Sequence, residues 1–287
     1  MVDGGWTLRG KTCVVTGATS GIGEEIAVGL ARAGGRVVVV GRSRERAGAT
    51  LARIQREAPG APPPELVLAD LCEQAQIRAA AAELLARLPE IHVLVNNAGV
   101  ANFRRETTPD GLETTFAVNH LAYFLLTRLL LDRLRASAPA RIVIVASDAH
   151  RFGRLDLADL QNERSYRSMR VYGQSKTANL LFAQELARRL AGTGVTVNAL
   201  HPGAVATRLG QQNGALVRLL TRALSVFFRT PAQGADTALW LATAPELDAS
   251  GRYFASRRER TPAAWARDPE LARRLWEESE RLTGLAG

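Results

Sequence analysis

Tyr172 and Lys176 stand four residues apart inside a helical pattern running from Val171 to Leu190, so they share one face, one turn apart. An ammonium held beside a phenol favours the phenolate, which is expected to lower the tyrosine pKa. Such a tyrosine exchanges protons near neutral pH as a general acid or base. Ser147 closes an apolar, β-branched run, Arg141 to Ala146. At that strand end a hydroxyl can hold a carbonyl oxygen against the tyrosine, or it can cap the next turn. Either motif alone is weak, because Tyr-x-x-x-Lys and a serine after a strand both recur by chance. His92, His120, His150 and His201 have no metal-ligand spacing, and no metal is expected. His92 and His201 read as strand residues with satisfied hydrogen bonds, whereas His150 is a candidate to line the pocket beside Ser147.

A second site is written in Thr16-Gly17-Ala18-Thr19-Ser20-Gly21-Ile22-Gly23, which follows the strand-like run Thr12-Cys13-Val14-Val15 and opens a helical pattern, Glu24 to Ala33. Strand, glycine-rich turn and helix present backbone N–H groups and a helix N-terminus to a phosphate. Gly17 is expected to allow the sharp turn, Gly21 the approach of a pyrophosphate, and Gly23 close packing of helix on sheet. Thr19, Ser20 and Ile22 complete the candidate phosphate contacts. After the second strand-like run, Val37 to Val40, comes Gly41-Arg42-Ser43 with no carboxylate. An acidic residue there would bind a ribose 2′-hydroxyl, whereas the Arg42 guanidinium suits a 2′-phosphate. NADP(H) is therefore expected over NAD. Arg44 and Arg46 are near enough to assist. Asp70-Leu71 ends the third strand, where the carboxylate can meet an adenine amino group or cap the following helix.

These residues need a frame, and the hydrophobic pattern supplies one. Strand-like runs at 12–15, 37–40, 65–69, 91–95, 141–146 and 195–200 alternate with helical ones at 24–33, 43–57, 74–88, 112–136 and 171–190. That alternation implies an α/β fold of Rossmann type: a doubly wound parallel sheet of about seven strands, with helices on both faces. Ligands of such sheets bind at the carboxyl ends of the strands, and the candidate residues fall at those ends or on the helices beside them. No linker or repeat divides the 287 residues, so one domain is expected over 1–287, with a core at about 8–255 and a helical tail at about 262–284. The net charge is +9, yet no aromatic-studded basic strand or reading helix accompanies it, which argues against nucleic acid. Cys13 and Cys72 show no pairing logic and suit a reducing compartment. The first five residues carry neither a charged n-region nor an apolar run, and no uninterrupted apolar stretch reaches the ~18 residues of a membrane span. The expected location is cytoplasmic.

Taken together, the glycine turn, Asn96-Asn97-Ala98-Gly99, Asn119, Ser147, Tyr172-x-x-x-Lys176 and Pro202-Gly203 resemble, in order and spacing, the short-chain dehydrogenase/reductase family over residues 8 to 255. The resemblance implies a catalytic set of Asn119, Ser147, Tyr172 and Lys176. In it Tyr172 is the acid/base, Ser147 orients the substrate oxygen, and Lys176 binds the nicotinamide ribose and tunes Tyr172. Asn119 would hold a water linking Lys176 to solvent. It further implies that Asn97, Ala98 and Gly99 brace the sheet beside the cofactor, and that Pro202, Gly203, Val205 and Thr207 contact the nicotinamide end. The 25-residue interval from Ser147 to Tyr172, with Tyr172-Gly173-Gln174-Ser175-Lys176-Thr177-Ala178-Asn179-Leu180 and His201-Pro202-Gly203, is similar to the retinol dehydrogenase-like branch. That branch implies NADP(H) chemistry on small apolar carbonyls and alcohols, and homodimers or homotetramers. Ala146, Ala122-Tyr123 and Asp148 depart from its pattern, and the N-terminal membrane anchor of many retinol-active members is not expected here. Residues 208–230 correspond to a substrate-covering lid; within them Ala215 to Phe228 is amphipathic and reads as a lid, an oligomer contact or a membrane-surface contact. A non-catalytic NADP(H)-binding sensor or scaffold is the alternative to an enzyme.

Overall fold

Val37, Val38, Val39 and Val40 are each at most 1% exposed, as expected of a continuous β-branched run in a parallel sheet covered on both sides. The computed structural model describes residues 6–205 and 229–285. In it these valines form β2 (Arg36–Gly41), paired with β1 (Thr12–Thr16) and β3 (Glu65–Leu68). Beyond β1 lie β4 (Val93–Asn96), β5 (Ala140–Val145), β6 (Val195–His201), β7 (Tyr253–Ala255) and β8 (Arg258–Glu259), giving the order β3-β2-β1-β4-β5-β6-β7-β8. The sheet thus has eight strands rather than about seven. The extra one is the two-residue β8, antiparallel on β7 and too short to show in a hydrophobic pattern.

Successive residues of each central strand feed opposite cores, because strand side chains alternate. Val38 and Val40 join the core under α3 (Gln74–Arg87), α4 (Thr114–Ala136) and α5 (Ser168–Arg189). Val37 and Val39 join the core under α1 (Gly21–Arg32), α2 (Arg44–Glu57) and α6 (Pro231–Thr243). A third apolar cluster lies where α4 and α5 meet α7 (Pro269–Leu282), the expected C-terminal helix. The strand order reverses between β1 and β4, which makes the carboxyl ends of these two strands the switch point where a crevice opens.

Helix α4 departs from the expected uninterrupted run over 112–136 in two ways. It begins at Thr114 because Glu113 caps it, its carboxylate accepting from Thr115 N (2.8 Å) and Phe116 N (2.7 Å). Ala117–Leu121 then forms a π-helical turn, a local widening that often accompanies function, and Asn119 sits in it. With a mean hydropathy of 1.2, α4 has the length and composition of a membrane span, but 83% of its most apolar stretch is buried within this fold. It serves as a core helix.

Candidate active site

A cleft of about 460 Å³ opens at the carboxyl ends of β1 to β4. Its walls include Gly17, Thr19, Ser20, Gly21, Ile22, Gly23, Arg42, Asp70, Leu71, Asn97, Ala98, Gly99, Tyr172 and Lys176. Residues predicted from five separate stretches of sequence therefore share one cavity.

The glycine turn is built as a cradle that side chains would fill. Gly17 has φ +65°, and a Cβ there would lie 2.7 Å from Ala98 Cα. At Gly23 a Cβ would lie 2.3 Å from Asn97 Nδ2. Gly21 has φ +58°, a left-handed backbone that glycine adopts without penalty. Its freedom is thus conformational as well as a matter of ligand approach. Ser20 caps α1 without a side-chain hydrogen bond, leaving the amides of the first turn for a ligand. Thr16 and Asn97 tie the two switch-point strands together. Thr16 Oγ1 accepts from Asn97 N (2.9 Å) and Ala98 N (3.2 Å), and Asn97 Nδ2 donates to Thr16 O (2.9 Å).

At the other end of the cleft Arg42, with 58% of its side chain exposed, points a guanidinium nitrogen to within 3.4 Å of Asp70 Oδ2. Arg46 stands beside it in the wall. Asp70 also accepts from Cys72 N (3.0 Å), so it caps the local turn and faces the cleft at once. Cys72 is half-buried in that wall, and its thiol is pushed up to about 12, mainly by burial and then by Asp70.

The inner end gathers the reactive groups. Lys176 Nζ is buried, donates to Val145 O at the end of β5 (3.0 Å), and lies 5.5 Å from the Tyr172 ring centroid. The Ser147 hydroxyl lies near enough to Tyr172 to pull its phenol pKa down. Ser147 Oγ accepts from Ala149 N (3.2 Å), so it caps the turn that follows β5. Asn119 is fully buried. Its amide donates to Val100 O (3.0 Å) and Ser175 Oγ (3.0 Å), and its Oδ1 accepts from Val100 N (2.8 Å). Asn119 thus fastens the loop after β4 to the residue preceding Lys176.

The expected charge relation between Tyr172 and Lys176 is reversed. Burial pushes the Tyr172 phenol up to about 12, against a smaller downward pull from the Ser147 hydrogen bond. Burial pushes the Lys176 ammonium down to about 7. Removing a charge from water outweighs the Coulombic help that each would give the other. One further expectation fails. His150 is fully buried, with Nδ1 donating to Ser147 O (2.8 Å) and Nε2 accepting from Ala263 N (3.2 Å). It supports the Ser147 turn from behind and does not line the cleft. The Asp148 carboxylate, next to Ser147 in the chain, accepts from Tyr253 Oη (2.8 Å) and lies 3.6 Å from His201 Nε2 and 3.9 Å from Arg151 Nε.

Pro202, Gly203 and Val205 stand outside the cleft wall, on the segment after β6. Gly203 has φ +91°, with Arg229 packed where a Cβ would go. Val205 and Ile22 converge on Gly234, bringing this segment beside the glycine turn. Thr207 and the amphipathic stretch Ala215 to Phe228 lie outside the described residues. One residue packed behind the cleft wall escaped the sequence reading as a site residue. Tyr123 is buried, donates from Oη to Ala98 O (2.7 Å), and has its ring centroid 5.8 Å from Lys176 Nζ. Its place one helical turn after Asn119 was the available signal.

The cradle, the open first turn of α1 and the two guanidinium groups fit a dinucleotide laid across the strand ends, with its reactive end toward Tyr172 and Lys176. Comparison with known proteins agrees. A model of the short chain dehydrogenase family matches residues 11–216. Retinol dehydrogenase 14 of Mus musculus is 44% identical, over 97% of this chain and 87% of its own length. The fold superposes on an uncharacterised protein of Mycobacterium paratuberculosis with a TM-score of 0.79 and 31% identity, covering 98% of both chains. It also superposes on the Pseudomonas aeruginosa RhlG/NADP active-site complex, with a TM-score of 0.70, 27% identity, and coverage of 91% of this chain and 98% of that one. The chain belongs to the short-chain dehydrogenase/reductase family, in its retinol dehydrogenase-like branch.

Proposed function

We propose that this family member is an NADP(H)-dependent oxidoreductase that interconverts an apolar ketone or aldehyde and the corresponding alcohol. The observation that carries the reading is the polarity of the cleft: Ser147, Tyr172 and Lys176 cluster at the inner end, the glycine turn lies in the middle, and Arg42 and Arg46 stand at the outer end. When bound, the nicotinamide supplies or accepts a hydride. Tyr172 holds the proton that the substrate oxygen gains or loses. Burial keeps its phenol protonated through neutral pH, ready to be given to a carbonyl oxygen. Ser147, whose hydroxyl lies beside Tyr172, orients that oxygen. Lys176, with its ammonium held near the working pH range, binds ribose and adjusts Tyr172.

The two guanidinium groups favour a 2′-phosphate, and the NADP in the RhlG complex supports the same cofactor. An apolar substrate is supported by the name of the Mus musculus relative, since retinol is a polyene alcohol. A cytoplasmic, reducing setting suits Cys13 and Cys72, both free.

The test is NADPH oxidation across a panel of apolar carbonyls. Tyr172→Phe is expected to lower turnover by about 10²- to 10⁴-fold while NADPH fluorescence still reports binding. Normal turnover by this variant would refute the mechanism. Arg42→Asp is expected to weaken NADPH by roughly tenfold or more and to leave NADH binding little changed. Equal losses for both cofactors would refute the choice of NADP(H).

A further inference from the structure

Lys176 is a buried cation without a counter-charge. Among the described residues no carboxylate lies within ion-pair distance of it, and its one hydrogen bond runs to the neutral Val145 carbonyl. Burying an ammonium in this way is strongly unfavourable unless something else meets the charge. What surrounds Nζ can be named element by element. Helix α5, its own, contributes the Tyr172 ring at 5.5 Å, and α4 contributes the Tyr123 ring at 5.8 Å. Strand β5 contributes the Val145 carbonyl. The segment after β4 contributes Gly99, where a Cβ would lie 3.8 Å from Nζ and 3.4 Å from Asn119 Oδ1. The two tyrosines are thus the titratable groups around it, and both rings lie within the ~6 Å at which an aromatic quadrupole attracts a cation.

We infer that Tyr123 is a positioning residue for the reaction: its ring and that of Tyr172 bracket the Lys176 ammonium, and this aromatic pair stands in for the missing carboxylate in holding the charge on Lys176. Tyr172 is committed to the substrate oxygen under the proposed function, and the inference rests on that reading only there. Tyr123 is free of that duty. Its hydroxyl is engaged by the Ala98 carbonyl, which fixes the ring plane against Lys176 and ties α4 to the Asn97-Ala98-Gly99 segment. Ring and hydroxyl therefore separate as functions. The ring sets how readily Lys176 carries charge, and the hydroxyl sets the position of the loop.

The chain contains two lysines, Lys11 and Lys176, which makes the test direct. Protein labelled with ¹³C at lysine Cε gives two resonances, and Lys11→Arg assigns them by deletion. In the ligand-free protein the Lys176 resonance is expected to titrate well below the ordinary lysine range. Tyr123→Leu, which removes the ring, is expected to make Lys176 a stronger acid by about tenfold. Tyr123→Phe, which keeps the ring and loses only the hydroxyl, is expected to stay within about threefold of the parent. The alkaline limb of the kcat/KM profile, where Lys176 loses its charge, is expected to move to lower pH with the resonance in the leucine variant and to be restored by phenylalanine. An unchanged or less acidic Lys176 in Tyr123→Leu overturns the inference, as does an equal shift in Tyr123→Phe, which would assign the effect to the hydroxyl. Thermal melts of both variants exclude unfolding as the cause. Because the resonance is read without turnover, the inference can fail while the proposed function stands, and the reverse.

Discussion

Asn119 and His120 are adjacent in sequence, both fully buried, and belong to two different regions of one helix. Asn119 serves the cleft side, where it fastens Val100 and Ser175. His120 serves the back of α4, where its Nε2 meets Ser279 Oγ on α7 (2.9 Å) among the rings of Phe116, Phe124 and Phe182. Helix α5 divides in the same way, with Tyr172 and Lys176 toward the cleft and Phe182 toward Trp276 of α7. Both regions bury ionisable groups. On the back, desolvation drives His120 down to about 3, with only a small opposing effect from Asn179. At the cleft, desolvation drives Lys176 down to about 7. Burial alone makes a group inert. A group becomes useful when burial leaves its titration inside the working pH range and its wall opens to a ligand.

The largest effect that tests this contrast is on Lys176. Lys176→Met should reduce turnover by about a hundredfold or more and at the same time stabilise the fold. The sign follows from linkage. With the folded pKa depressed to about 7, the charged lysine opposes folding fully below pH 7, and this opposition fades as pH rises toward the unfolded value near 10.5. The gain in the methionine variant, on the order of a few kcal/mol, should therefore be greatest at pH 6 to 7 and shrink toward pH 10, as read by chemical denaturation across that range. A destabilised variant at pH 7 would mean that the ammonium is better accommodated than its surroundings indicate.

His120→Phe is the matching change on the back. Turnover should stay within about twofold, and stability at pH 7 should fall by about 1 kcal/mol for the lost hydrogen bond to Ser279. The wild type should lose stability as pH drops from 6.5 toward 3, because the unfolded histidine takes up a proton that the folded one resists. Melting curves of the phenylalanine variant should show a flatter acid limb. A loss of turnover comparable to that of Lys176→Met would dissolve the distinction between the two regions.

Arg128 gives the smallest effect. It lies on the back at the solvent margin, paired with Glu280 and with its guanidinium 5.1 Å from the Trp276 ring centroid. Arg128→Met should cost less than about 1 kcal/mol and leave kinetics unchanged, measured by urea unfolding and steady-state assay. A larger loss would show that α7 is held mainly by its edge rather than by its apolar seam.

Legibility in the sequence followed chain distance. The glycine turn could be read because Gly17, Gly21 and Gly23 act on a single strand–turn–helix, and Tyr172 with Lys176 could be read because helical periodicity places them. Arg42 was legible from its position after β2. Tyr123 was not, since its importance comes from Ala98 and Lys176, 25 and 53 residues away. His150 misled for the converse reason: nearness to Ser147 in the chain became support from behind once Ala263 and Tyr253 closed over it. The π-helical turn at Asn119 leaves no mark in the apolar pattern of the helix around it.

The residues alone determined the doubly wound α/β order, the phosphate-binding turn and the types of group available for proton transfer, because these follow from local periodicity and covalent chemistry. Tertiary structure decided the charge states. Lys176 was expected to lower the Tyr172 pKa, yet burial in the packed protein raises it, and lowers that of Lys176. The physical reason is that Coulombic attraction depends on the pair, which the sequence names, whereas desolvation depends on everything packed around the pair, which only the folded chain brings together.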